Sequence, residues 1–135
     1  MVGGNDVMHR WGAGHWQVMA TSGYIQALMR KGVIGKGTEY DPGDMPAQGG
    51  GMFGGGGGAG NAYWEALYKK MATRDDKFSD LIAEASARMA EKLGRYPQDV
   101  NDGTVKLTYW GTQEHYSSQV QVDWGYGSIF GERDL

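Results

Sequence analysis

An α+β fold, two or three helices packed on a small antiparallel sheet, is predicted by three observations. Residues 75–94 carry Phe78, Leu81, Ile82, Ala85, Met89 and Leu93 at steps of three and four, which lays one apolar stripe along a helix. Beyond Pro97 the period changes to two: Val105, Leu107 and Tyr109 alternate with Lys106 and Thr108, and Val120, Val122 and Trp124 alternate with Gln121 and Asp123. Between the N-terminal third and that helix lies a glycine run, nine of the twelve residues 49–60, whose backbone entropy disfavours regular structure. The chain therefore reads as a single domain over 1–135, with an N-terminal arm at 1–14, a Gly-rich flexible loop at 41–61 and a helix-plus-hairpin core over 62–135.

Taken in order, the arm has little periodicity, yet Trp11 and Trp16 are large enough to anchor it on an apolar surface. From His15 to Lys31 a helical face is available to Trp16, Met19, Ile25, Leu28 and Met29, with Gly32 as its stop. Gly23 leaves one helix or a broken pair equally open. Residues 33–40 read as a short extended piece, followed by turn chemistry in Asp41-Pro42-Gly43-Asp44-Met45-Pro46. Met52 and Phe53 are the large side chains of the glycine run and suit a hook that docks on a neighbour.

Residues 61–71 resume a helical pattern with Tyr63, Trp64, Leu67, Tyr68 and Met71 on one side. The register runs almost in phase into the 75–93 helix, but Arg74, Asp75 and Asp76 fall where the stripe lapses, so two helices, or one kinked at 73–76, are expected. Thr73 with Asp76 reads as the cap of the second, a helix of about five turns that Gly94 closes ahead of Pro97. The alternating segments then form a hairpin over 104–124, which needs a helix or further strands to pack on.

Composition limits the function. With 135 residues, 24 of them Gly, the foldable part is small, while five Trp, eight Tyr and eight Met supply more bulky apolar area than one small core needs. Assembly with other subunits follows as an expectation. A formal charge of −3 without a basic block argues against a dedicated nucleic-acid binder. The absence of Cys removes disulfides and thiolate metal sites, no apolar run is long enough to span a membrane, and the N-terminus lacks the apolar segment of a secretory signal, so a soluble protein is expected.

Catalytic chemistry finds little support. His9, His15 and His115 lack helical i, i+4 metal spacing, no Ser sits in a nucleophile elbow, and the glycine run lacks the Lys of a phosphate loop. The pairs Asp75 with Asp76 and Asp41 with Asp44 read as helix-start and turn residues. No catalytic, cofactor-binding or metal-binding residue is assigned, no cofactor is expected, and the chain is read as a non-enzyme. A small ligand-binding or metal-dependent enzyme built on the three His stands as an alternative. The residues read as assembly contacts are Trp11, Trp16, Met52, Phe53, Trp110, Tyr126, Ile129 and Phe130.

The second half of the chain also carries a resemblance. The helix at 75–93, Pro97, Gly103 with Leu107, a strand at 119–124, and the phrase Tyr126-Gly127-Ser128-Ile129-Phe130-Gly131-Glu132 resemble the head-to-tail joining, or tail-completion, proteins of long-tailed bacteriophages. The likeness covers roughly residues 75–132; it departs where Asp102 precedes Gly103 and where Ile129 stands in a place the family usually gives to an acid. It implies a virion structural protein, made in the host cell cytoplasm, that forms a homo-oligomeric ring, commonly of about six subunits, at the neck of the particle. Neighbouring connector and tail proteins would be its partners, and DNA would pass through the lumen without specific binding. A capsid decoration or minor capsid subunit fits the same composition.

Overall fold

The computed structural model describes residues 10–12, 15–47 and 58–105. Among the described residues five helices have both ends in view, α1 (His15–Arg30), α2 (Gly58–Thr73), α3 (Lys77–Ile82), α4 (Ala85–Lys92) and α5 (Tyr96–Asn101), and residues 10–11 are also helical. Helix α1 packs on α4, α2 on α3, α3 on α4 and α4 on α5.

The α+β expectation is corrected: among the described residues all regular structure is helical and none is strand. The reason is visible at Val105. This first apolar position of the alternating pattern is only 2% exposed and belongs to the helical core, and its N–H donates to the carbonyl of Asp99 at 2.7 Å. Residues 102–105 thus form the turn that follows α5 and are not strand. Residues 106–124, the rest of the hairpin reading, lie outside the described residues.

Helix α1 is continuous through Gly23, whose exposed position costs about 1 kcal/mol against Ala, less than the burial flanking it returns. Val18, Thr21, Ser22, Ile25 and Leu28 recur at three and four residue steps and are all buried. The helix closes in a Schellman motif: Gly32, at φ 67, donates to Met29, and Val33 donates to Leu28, both at 3.0 Å. The same closure ends α4, where Gly94 at φ 65 donates to Glu91 and Arg95 to Ala90. Residues 33–40, read as extended, form turns instead, held by Thr38 and Gly35 N–H bonds to the carbonyls of Gly35 and Tyr40. Asp41 makes the expected turn by accepting from the amides of Gly43 and Gly37.

Helix α2 begins at Gly58, inside the stretch read as loop, and buries Tyr63, Leu67 and Tyr68. It ends at Thr73, and the expected interruption at 73–76 is present, with Arg74 at φ 49. The cap of α3 is Asp76 and not Thr73. Its side chain accepts from the Ser79 amide at 2.6 Å while the Ser79 hydroxyl accepts from the Asp76 amide at 2.8 Å, a reciprocal capping box.

The Asp76 carboxyl is held at about 2, since burial raises it but the Lys70 ammonium and the Ser79 donors outweigh that. A depressed folded value means that its contribution is complete above the usual carboxylate range, near 4, and is lost as pH falls toward 2. Asp76→Ala is expected to lower unfolding free energy by about 1 kcal/mol at neutral pH, and by less near pH 2, as read by urea denaturation at the two pH values.

The five-turn helix expected over 75–93 is broken. Residues 83–84 form a turn between α3 and α4, and Ala85 sits at φ 64 in the left-handed region that costs a residue with a β-carbon roughly 1–2 kcal/mol. The break lets both short helices turn their apolar residues inward: Phe78, Leu81 and Ile82 from α3, Met89 and Ala90 from α4. Pro97 occupies the first turn of α5, where a missing N–H costs nothing.

Candidate functional site

A group of ionisable side chains built around a fully buried carboxylate lies where the C-terminal end of α1 meets α5, at Asp99. The Asp99 side chain is fully shielded from solvent. Local sequence explains its setting: Asp99 stands in the first turn of α5, favourable for an acid, and Arg95 at the helix cap reaches it across one turn. Lys31, just past the end of α1, stands at a position favourable for a cation.

Both carboxylate oxygens are fully used. Oδ1 accepts from Arg95 Nη2 at 2.9 Å and from Lys31 Nζ at 3.3 Å. Oδ2 accepts from Arg95 Nε at 2.9 Å and from the Tyr24 hydroxyl at 2.6 Å. Lys31 continues outward to Asp102 Oδ2 at 3.0 Å and Thr104 Oγ1 at 2.8 Å, and the Thr104 hydroxyl also meets Asp102 Oδ1.

The electrostatics follow from these contacts. Burial pushes the Asp99 carboxyl up, yet Arg95, Tyr24 and Lys31 together bring it below the usual range. Burial, and then the bond to Asp99, push the Tyr24 phenol well above its ordinary value, so it stays a neutral donor. Asp102 is brought down to about 2 by the hydroxyl and amide of Thr104 and then by Lys31. A carboxylate of lowered pKa with four donors on its oxygens is a poor general base. What the arrangement can do is fix geometry: it ties α1, α5 and the Thr104–Val105 exit into one clamp, from which the chain continues into residues 106–135.

A second feature is a shallow, open hollow of about 430 Å³ lined by Met29, Ile34, Lys36, Thr38, Pro42 and the glycines between. It borders the turn after α1 and holds no cluster of titratable groups. Among the described residues no three His, Asp or Glu side chains are placed to hold a metal ion, and no helix is long and apolar enough to cross a membrane.

The candidate assembly residues are divided by the structure. Trp11 is half-buried against the helical core, with its indole Nε1 buried and without a hydrogen-bond partner among the described residues. Trp16 lies in α1, where its backbone alone is described. Met52, Phe53, Trp110, Tyr126, Ile129 and Phe130 lie outside the described residues, as do His9 and His115; His15 begins α1 and only its backbone is described. Of the eight, Trp11 alone has a described side chain.

Sequence reasoning missed the Asp99 clamp. Arg95 and Asp99 do stand four residues apart after a helix-stopping Gly94, which was a readable signal for a helical ion pair. Nothing in the sequence marks Asp99 as buried or pairs it with Tyr24, which is 75 residues away. Comparison of the chain with protein-family models, with curated proteins and with solved structures gives no match in any of the three.

Proposed function

We propose that this chain is a virion structural protein, a subunit of a ring at the head–tail junction of a long-tailed bacteriophage. The observation that carries the reading is the clamp at Asp99. It spends its polar groups internally and sets a fixed root, Thr104 and Val105, for the segment that bears Trp110, Tyr126, Ile129 and Phe130. A helical body with a fixed root for an aromatic-rich segment suits a subunit that bonds to its neighbours. The resemblance over residues 75–132 supplies the specific place, between connector and tail proteins.

Charge supports the same reading. In residues 106–135, Glu114, Asp123, Glu132 and Asp134 outnumber Lys106 and Arg133, a balance that lets DNA slide past without adhering.

The test is the native mass of the full chain across a concentration range, with negative-stain images of any large species. A closed ring of about six copies is expected, with no salt-sensitive retention of DNA. Replacing Ile129 and Phe130 together with Ser is expected to abolish the ring while leaving the helical circular-dichroism signal intact. A monomer at every concentration would refute the reading, and a ring unaffected by the double substitution would refute the role of that pair.

A further inference from the structure

The corner between α3 and α4, like the end of α2 at Arg74, turns through a left-handed residue that is not glycine, and here the turn falls inside one continuous apolar stripe. Helices α1 and α4 stop at glycines, but residues 77–93 contain neither Gly nor Pro, and the corner residue in the left-handed region is Ala85. At the corner the Ala83 amide donates to the Ser79 carbonyl, whereas Glu84 donates to Leu81, one residue short of helical spacing. Local sequence would carry a helix straight through, with Phe78, Ile82, Ala85, Met89 and Leu93 on one stripe.

Besides the burial of Met89 and Ala90, an ion cluster spans the corner. Lys92 donates to Asp80 at 3.2 Å and to Glu84 at 3.3 Å, and Arg74 donates to the same two carboxylates at 3.1 and 3.0 Å. In a straight helix Asp80 and Lys92, 12 residues apart, would stand about 18 Å from each other along the axis, beyond the reach of the lysine arm. Within one chain the Lys92–Asp80 bond therefore exists only in the bent form. Asp80 and Lys92 are about half exposed, so the cluster is open to screening by salt.

Straightening within one molecule would strip α4 from α1 and uncover Met89 and Ala90, both at 0% exposure. A second copy removes that cost. If α4 and α5 of one chain seat on α1 of the next, every buried contact is remade between chains, including Tyr24 and Lys31 on Asp99, while the strain at Ala85 is released and the helical bonds at 83–85 are completed. We propose that the corner at residues 83–85 is a hinge for exchange of α4 and α5 between copies of this chain, residues 77–93 becoming one straight helix in the assembled form. The inference rests on the reading of the chain as an assembling subunit and names how neighbours join. Each copy gives its α4–α5 unit to one neighbour and accepts one from another, which closes a ring, or, exchanged reciprocally, a dimer.

The experiment uses the full chain, which lacks Cys, with spin labels on Lys77→Cys and Glu91→Cys, both exposed sites. Labelled chain is diluted into an excess of unlabelled chain so that intrachain distances are read. The straight helix places these positions about 21 Å apart, and the bent form places them distinctly closer. The expected result is the short distance in the monomer and the long one in the oligomer.

Ala85→Gly, which tolerates the bent backbone, is expected to raise the concentration needed for assembly at least tenfold, and Ala85→Val, which tolerates it poorly, to lower it at least tenfold. An oligomer that keeps the monomer's distance overturns the exchange and leaves the ring reading standing. A wild type that never assembles, beside an Ala85→Val dimer showing the long distance, overturns the ring and keeps the hinge. Short distances in a wild type and Ala85→Val that both stay monomeric overturn the exchange. Should Ala85→Val fail to fold, the wild-type distances and the Ala85→Gly shift decide the matter.

Discussion

Replacing Asp99 with Ala is expected to lower unfolding free energy by about 3 kcal/mol. Removing one partner of a fully buried charged group reaches the upper end of the 3–5 kcal/mol range only when the others cannot reach water. Here the partners differ. The Arg95 and Lys31 side chains are 21% and 35% exposed and can turn to solvent, and Lys31 retains Asp102. Tyr24 is 2% exposed and would be left with a buried hydroxyl and no carboxylate to receive its proton. For a body of this size each kcal/mol moves Tm by about 4–8 °C, so a fall of more than about 10 °C should be seen by calorimetry. Tyr24→Phe removes only one of four donors and should cost about 1 kcal/mol.

The pH dependence has a definite sign. The Asp99 carboxyl lies below its ordinary value in the folded protein, so its stabilisation is present above about pH 4 and is lost as pH falls through the folded value. The Tyr24 phenol lies above its ordinary value, so its stabilisation holds below about pH 10 and erodes as pH rises further. The gap between wild type and Asp99→Ala should therefore be full above about pH 4 and close as pH falls through the folded Asp99 value, while the alkaline loss, caused first by burial of Tyr24, is shared by both proteins. A gap that is flat with pH, or a Tm unchanged by the substitution, would show that the clamp contributes no net stability.

How much of this was legible in the sequence divides along the range of the interactions. Local signals held: Gly32 and Gly94 stop helices, the charged run at 74–76 interrupts the stripe, and Asp41 organises its turn. They held because each depends on a few neighbouring residues and on backbone geometry that only certain residues tolerate. The corner at Ala85 ran against local preference. It is stabilised by Lys92 reaching back across the bend and by burial of Met89 and Ala90, neither of which a periodicity count includes. At Val105 the reading of a strand start failed for the same reason: a single apolar residue completing a helical core has the same letter as the first residue of a strand. The Asp99 clamp was hidden because a buried and a solvated aspartate are indistinguishable until distant segments meet.

Phe78→Ala is expected to have the largest effect of any single truncation, about 3–5 kcal/mol. Phe78 is 1% exposed in α3, which packs on both α2 and α4, and the Lys70 ammonium lies 5.9 Å from its ring centre. Helix α3 is only six residues long, far below the length at which a helix persists alone, so it depends on its capping box and on burial of Phe78, Leu81 and Ile82. The capping box is worth about 1 kcal/mol and cannot replace the ring. Domains of this kind have about 5–15 kcal/mol in total, and one with so many glycines sits toward the low end. Losing the ring should leave a large fraction unfolded at 37 °C, read as a fall in the helical circular-dichroism signal and a urea midpoint near zero. Phe78→Leu, which refills most of the volume, should cost no more than about 1.5 kcal/mol and keep the cooperative transition. A loss below about 1 kcal/mol in Phe78→Ala would mean that α3 is not part of the cooperative unit. The corner at Ala85 would then join a stable body to a separately melting turn, and the bent form would lack the packed α3 on which the exchange of α4 and α5 depends.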